Sequence, residues 1–82
     1  TLSSFEMEQY VTYPVEWGIS GIPKIKEIRS ISRYGLSLVT VVFFDDVDLM
    51  VARQLVSERM LEIQKQIPSK YGTPQIGPLS TA

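Results

Sequence analysis

Apolar residues recur at helical spacing near the start of this chain. They form one stripe of Met7, Tyr10, Val11, Pro14, Val15 and Gly18. Ser3 and Glu6 match a capping box at its beginning, and Gly21 and Pro23 follow it with residues that end helices. We therefore predict a helix over about residues 4–19. Pro14 should kink this helix because it has no backbone N–H.

A second helical stripe lies between an acidic run and Pro68. It consists of Ala52, Leu55, Val56, Arg59, Met60, Ile63 and Ile67. The carboxylates of Asp45, Asp46 and Asp48 suit the positive end of a helix dipole, and Pro68 cannot continue a helix. The pattern predicts a helix over about residues 46–67.

Between the helices, the sequence predicts two strands joined by a tight turn at Gly35. The first covers residues 24–34 and alternates imperfectly, whereas the second covers residues 36–44 and is rich in β-branched and aromatic residues. Both faces of the second strand are apolar: one carries Val39, Val41 and Phe43, the other Leu38, Thr40, Val42 and Phe44. Such a strand needs cover on both sides, and a chain of 82 residues can cover only one well.

A short edge strand over about residues 75–77 completes the predicted order α-β-β-α-β. One strand placed in front would give βαββαβ, the ferredoxin-like split βαβ fold, in which the first strand is central and pairs with the third and fourth. We therefore predict an α+β, ferredoxin-like subdomain that lacks its first strand. Its open sheet edges should lead the isolated chain to self-associate.

Composition and charge exclude several function classes. The chain has no Cys and no His, which excludes thiol nucleophiles, histidine-based catalysis and Cys/His zinc sites. Eight basic and nine acidic residues give a net charge of −1, so the basic surplus of a sequence-independent nucleic-acid binder is missing. No apolar stretch reaches membrane-spanning length and no signal peptide is visible. Because the chain starts at Thr1, we interpret it as a piece of a longer protein.

The remaining polar and sulfur-containing clusters are better explained by structure than by chemistry. Capping explains the Asp45–Asp48 run better than a metal site, since the run lacks the spacing of a calcium loop. Core packing explains Met7 and Met60 better than Cu(I) binding. Solvated faces explain two further groups: the glutamate pairs Glu6/Glu8 and Glu58/Glu62, and the basic residues Lys24, Lys26, Arg29 and Arg33. We assign no catalytic, cofactor-binding or metal residue.

One further stripe on the second helix carries less charge than a simple surface face. It consists of Met50, Gln54, Ser57, Leu61 and Lys65. Ordinary surface variation could produce it, but low charge and mid-sized side chains also suit a helix–helix contact with a partner subunit.

Several ordered segments of the chain match one family of transporters. The matching segments are Glu8–Glu16, Gly21–Pro23, Lys26–Ser37, Val39–Phe43, Asp48 followed after four residues by Arg53–Arg59, and Pro74–Thr81. In this order they resemble the heavy-metal efflux class of the resistance-nodulation-division transporters, specifically its first periplasmic porter subdomain. The resemblance covers nearly the whole chain.

The resemblance implies a proton-driven pump of the Gram-negative inner membrane, which works as a homotrimer with a periplasmic adaptor and an outer-membrane channel. It implies a ferredoxin-like fold whose second helix packs around the threefold axis, which would explain the low-charge stripe. The proton-relay carboxylates and the methionine metal ligands of the family belong mainly to other segments, so neither is carried over. The alternative is a free-standing ferredoxin-like module that senses a small ligand or a metal.

Overall fold

The structure, a computed structural model that describes residues 3–78, is α+β with two antiparallel strands. An N-terminal helix over residues 4–19 consists of α1 (Ser4–Met7), a π-helical turn (Glu8–Thr12) and α2 (Tyr13–Ile19). Strands β1 (Ile25–Arg33) and β2 (Leu36–Phe43) follow. Helix α3 (Leu49–Gln64) and a 3₁₀ turn (Ser69–Tyr71) complete the elements of the described residues.

A capping box starts the N-terminal helix, as its sequence predicts. The Ser3 Oγ accepts a hydrogen bond from the Glu6 backbone N–H at 3.1 Å, and the Glu6 Oε1 accepts one from the Ser3 N–H at 3.3 Å. Two backbone donors that would have no partner inside the helix are thereby satisfied.

The predicted kink at Pro14 takes the form of a π-helical turn directly before it. The Tyr13 N–H donates to the carbonyl of Glu8, five residues back. A widened turn accommodates a proline because the ring would otherwise clash with the carbonyl four residues before it. The extra residue also changes which side chains face inward. Thr12, which is not part of the predicted stripe, is buried, whereas Tyr10 of the stripe is about half exposed.

The two strands form a hairpin, and a bulge in β1 shifts the alternation of side chains between the two faces of the sheet. Gly35 supplies the positive φ of the turn, at 66°. Ile25 pairs with Phe43 and Glu27 with Val42, so one extra residue stands in β1 between them. This bulge explains the imperfect alternation of the β1 sequence, because it lets residues an odd number of positions apart face the same side.

The hydrophobic core lies between one face of the hairpin and the two helices. Its buried members are Met7, Val11, Val15, Ile19, Ile22, Met60, Ile63 and Ile67, and Ile25, Ile28, Val39, Val41 and Phe43 pack against them from the sheet. The other sheet face is exposed and carries Ile31, Leu36 and Leu38. One apolar face of β2 is therefore covered within the described residues, and the other is not.

Helix α3 is shorter than its sequence pattern predicts. Asp48 is its N-cap, and its carboxylate accepts a hydrogen bond from the Met50 N–H at 2.8 Å. The preceding aspartates therefore lie in a turn rather than in the helix. Residues 65–67 form a turn after Gln64 that still buries Ile67 in the core. Gly18 of the N-terminal helix faces Ile63 of α3, and a Cβ atom at Gly18 would lie only 2.6 Å from the Ile63 Cδ1.

The predicted strand over residues 75–77 does not form. Residues 72–78 are irregular, although Ile76 packs against the core and the Arg53 Nη1 donates to the Gly77 carbonyl at 2.6 Å. A strand needs a neighbouring strand for its backbone hydrogen bonds, and the segment has no such neighbour within residues 3–78. The order α-β-β-α-β is therefore corrected to α-β-β-α followed by an irregular segment.

Candidate functional site

The low-charge stripe predicted on the second helix lies on one exposed face of α3. Met50 is 67% exposed and Leu61 is 63% exposed, and Gln54, Ser57 and Lys65 are also exposed. The helical repeat explains the alignment, since these positions are three or four residues apart. Two large apolar side chains, Met50 and Leu61, are therefore exposed on this face about three turns apart, with the uncharged Gln54 and Ser57 between them.

Charge on this stripe is confined to its C-terminal end. The Lys65 Nζ lies 3.5 Å from the Glu62 Oε1 in an exposed ion pair one turn apart. The other four residues of the stripe, Met50, Gln54, Ser57 and Leu61, are uncharged. A mostly uncharged surface can be desolvated at little electrostatic cost. The stripe therefore fits a protein–protein contact better than a catalytic or metal site.

The outer face of the hairpin is a second exposed apolar surface. Ile31 and Leu38 are paired across the two strands and are about half exposed, and Leu36 and Phe44 are similarly exposed. Charged residues of β1, including Arg29 and Arg33, share this face by their spacing. The surface combines apolar residues of β2 with charged residues of β1.

Two of the four basic residues Lys24, Lys26, Arg29 and Arg33 form ion pairs with nearby carboxylates. The Lys24 Nζ lies 3.2 Å from the Asp46 Oδ2, and the Arg29 Nε lies 3.3 Å from the Glu27 Oε2. Such exposed pairs contribute little stability. They do show that half of this group interacts with acid side chains of the chain itself, as expected for a solvated strand face.

The acidic and sulfur-containing candidates are not brought together. Asp48 caps α3 and Asp46 pairs with Lys24. Met7 and Met60 are buried in the core, whereas Met50 is exposed on α3. Within residues 3–78, no group of three or more His, Cys, Asp or Glu is arranged to hold a metal ion.

Thr12 is a buried polar residue that connects the N-terminal helix to the hairpin, a contact that the sequence did not predict. It is 1% exposed, and its Oγ1 lies 2.8 Å from the Ser32 Oγ and 2.6 Å from the Ser37 Oγ. Ser32 and Ser37 face each other across the hairpin. The hydroxyl of Thr12 therefore ties the N-terminal helix to both strands. The sequence signal available for Thr12 is its spacing of three residues from Val15, a member of the apolar stripe.

Aromatic residues of the N-terminal helix form a further group at the surface. Tyr10 stacks on Tyr71 with ring centroids 5.4 Å apart, and Trp17 is 81% exposed. A hydrogen bond with the Glu8 carboxylate raises the pKa of Tyr13 above its ordinary value. The neutral phenol of Tyr13 is thus favoured over the phenolate.

Comparison with known proteins identifies the family. A sequence model of the AcrB/AcrD/AcrF family matches residues 2–82. The chain belongs to the AcrB/AcrD/AcrF family. It is 48% identical over 79 residues to the protein HelA of Legionella pneumophila, and 47% identical over 79 residues to the cobalt-zinc-cadmium resistance protein CzcA of Cupriavidus metallidurans. It is also 33% identical over 75 residues to the cation efflux system protein CusA of Escherichia coli K12. No solved structure matches it significantly.

These relatives confirm the resemblance to heavy-metal efflux proteins. The alignments cover 96% of the chain for HelA and CzcA and 92% for CusA, but in each case only 7% of the relative. The chain therefore spans a small part of the length of its curated relatives. None of the helices among residues 3–78 is both long and apolar enough to cross a membrane.

Proposed function

We propose that the chain is a periplasmic porter-subdomain piece of a proton-driven, trimeric heavy-metal cation efflux pump. In this proposal it acts in subunit packing and conformational cycling rather than in chemistry. Membership of the AcrB/AcrD/AcrF family and the high identity to cation resistance proteins support the pump assignment. They favour it over a free-standing ligand or metal sensor.

The observation that carries the packing role is the exposed, mostly uncharged stripe on α3. Met50 and Leu61 are each about two-thirds exposed, and fully burying an apolar side chain of this size contributes roughly 1.5–3 kcal/mol. A threefold axis would bring the same face of three subunits together, so each favourable residue would count three times. The resemblance to the family implies such an axis beside this helix.

The conformational role is supported by the way the N-terminal helix is attached to the hairpin. Thr12 hydrogen-bonds to both strands, and Val11 and Val15 pack in the shared core. A unit joined in this way can move as one body against neighbouring subdomains. The exposed outer face of β2 would be covered by such a neighbour in the intact pump.

The same proposal covers the fold type of the subdomain, its location in the cell and its partner proteins. The subdomain would be ferredoxin-like without its first strand, and it would lie in the periplasm as part of a Gram-negative inner-membrane protein. An adaptor and an outer-membrane channel would be its further partners. The proposal gives the chain no metal ligand and no proton-relay residue.

Introducing negative charge into the uncharged part of the stripe tests its role in subunit packing. In the intact pump that contains this chain, we expect Leu61→Glu or Gln54→Glu to weaken the trimer, because three carboxylates would be brought together and desolvated in the contact. The trimer mass in detergent should fall towards that of the monomer, and growth on toxic concentrations of the exported metal should be lost.

Val51→Glu is the matched control for Leu61→Glu. Val51 is also exposed and apolar, and helical spacing places it on the same face as Glu58 and Glu62, which is not the face of the stripe. The control should leave the trimer and metal resistance unchanged. An intact trimer and normal resistance in the Leu61→Glu and Gln54→Glu pumps would refute the packing role.

A further inference from the structure

We draw no further inference here: the strongest candidate, the exposed aromatic surface patch of Tyr13 and Trp17 on the N-terminal helix, carries nothing because nothing in the structure shows what covers it.

Discussion

Replacement of the buried Thr12 by valine should destabilise the chain by about 2 kcal/mol. The substitution keeps the size and the β-branched shape of the side chain but removes the hydroxyl that contacts Ser32 and Ser37 at 2.8 and 2.6 Å. Each net hydrogen bond contributes about 1 kcal/mol, and buried groups left without a partner add a desolvation cost. Both serines are half-buried, so water can satisfy them in part, which keeps the expected loss near the sum of two bonds.

A double-mutant cycle separates this network from simple packing. If the loss comes from orphaned hydroxyls, Thr12→Val should cost less than about 1 kcal/mol in a Ser32→Ala, Ser37→Ala background, because no partner then remains unsatisfied. Urea unfolding followed by far-UV circular dichroism is the suitable assay, since the single tryptophan, Trp17, is exposed and reports poorly on the core. An equal cost of Thr12→Val in both backgrounds would refute the reasoning.

Three further predictions concern the helices. Gly18→Ala should destabilise by up to about 2 kcal/mol, because overpacking against Ile63 outweighs the better helix propensity of alanine; an Ile63→Ala background should remove this cost in the same unfolding assay. Asp48→Ala should cost about 1 kcal/mol through loss of the α3 cap, whereas Asp48→Ser should cost little. The hydrogen bond with Glu8 raises the pKa of Tyr13, so its stabilisation should be present below about pH 10 and lost as the pH rises through the raised value; in an absorbance titration, Glu8→Gln should lower that pKa towards the ordinary value, and an unchanged titration would contradict the assignment.

Features that depend on neighbouring residues could be predicted from the sequence. The capping box needs only Ser3 and Glu6, and both of its hydrogen bonds are present. The turn at Gly35 needs one residue that tolerates a positive φ. The exposed stripe on α3 follows from the helical repeat alone, and its role as a subunit contact stays a prediction.

Features that depend on distant partners could not be predicted in the same way. Pro14 signals a disturbed helix, but the π-helical turn also buries Thr12 against the hairpin, which no local pattern reveals. The bulge in β1 is a matter of register against β2. Gln75 and Ile76 lie between Pro74 and Gly77, where only an edge strand is tolerated, and a strand forms only when another strand supplies hydrogen bonds.

The central claim is that these 82 residues work as part of a large efflux pump. An antibody raised against the chain, used on fractionated cells of the source organism, tests it most directly. The account predicts a band many times larger than the chain in the inner-membrane fraction, which increases when the cells are exposed to heavy-metal ions. A soluble band of the size of the 82-residue chain would contradict the account and favour a free-standing protein.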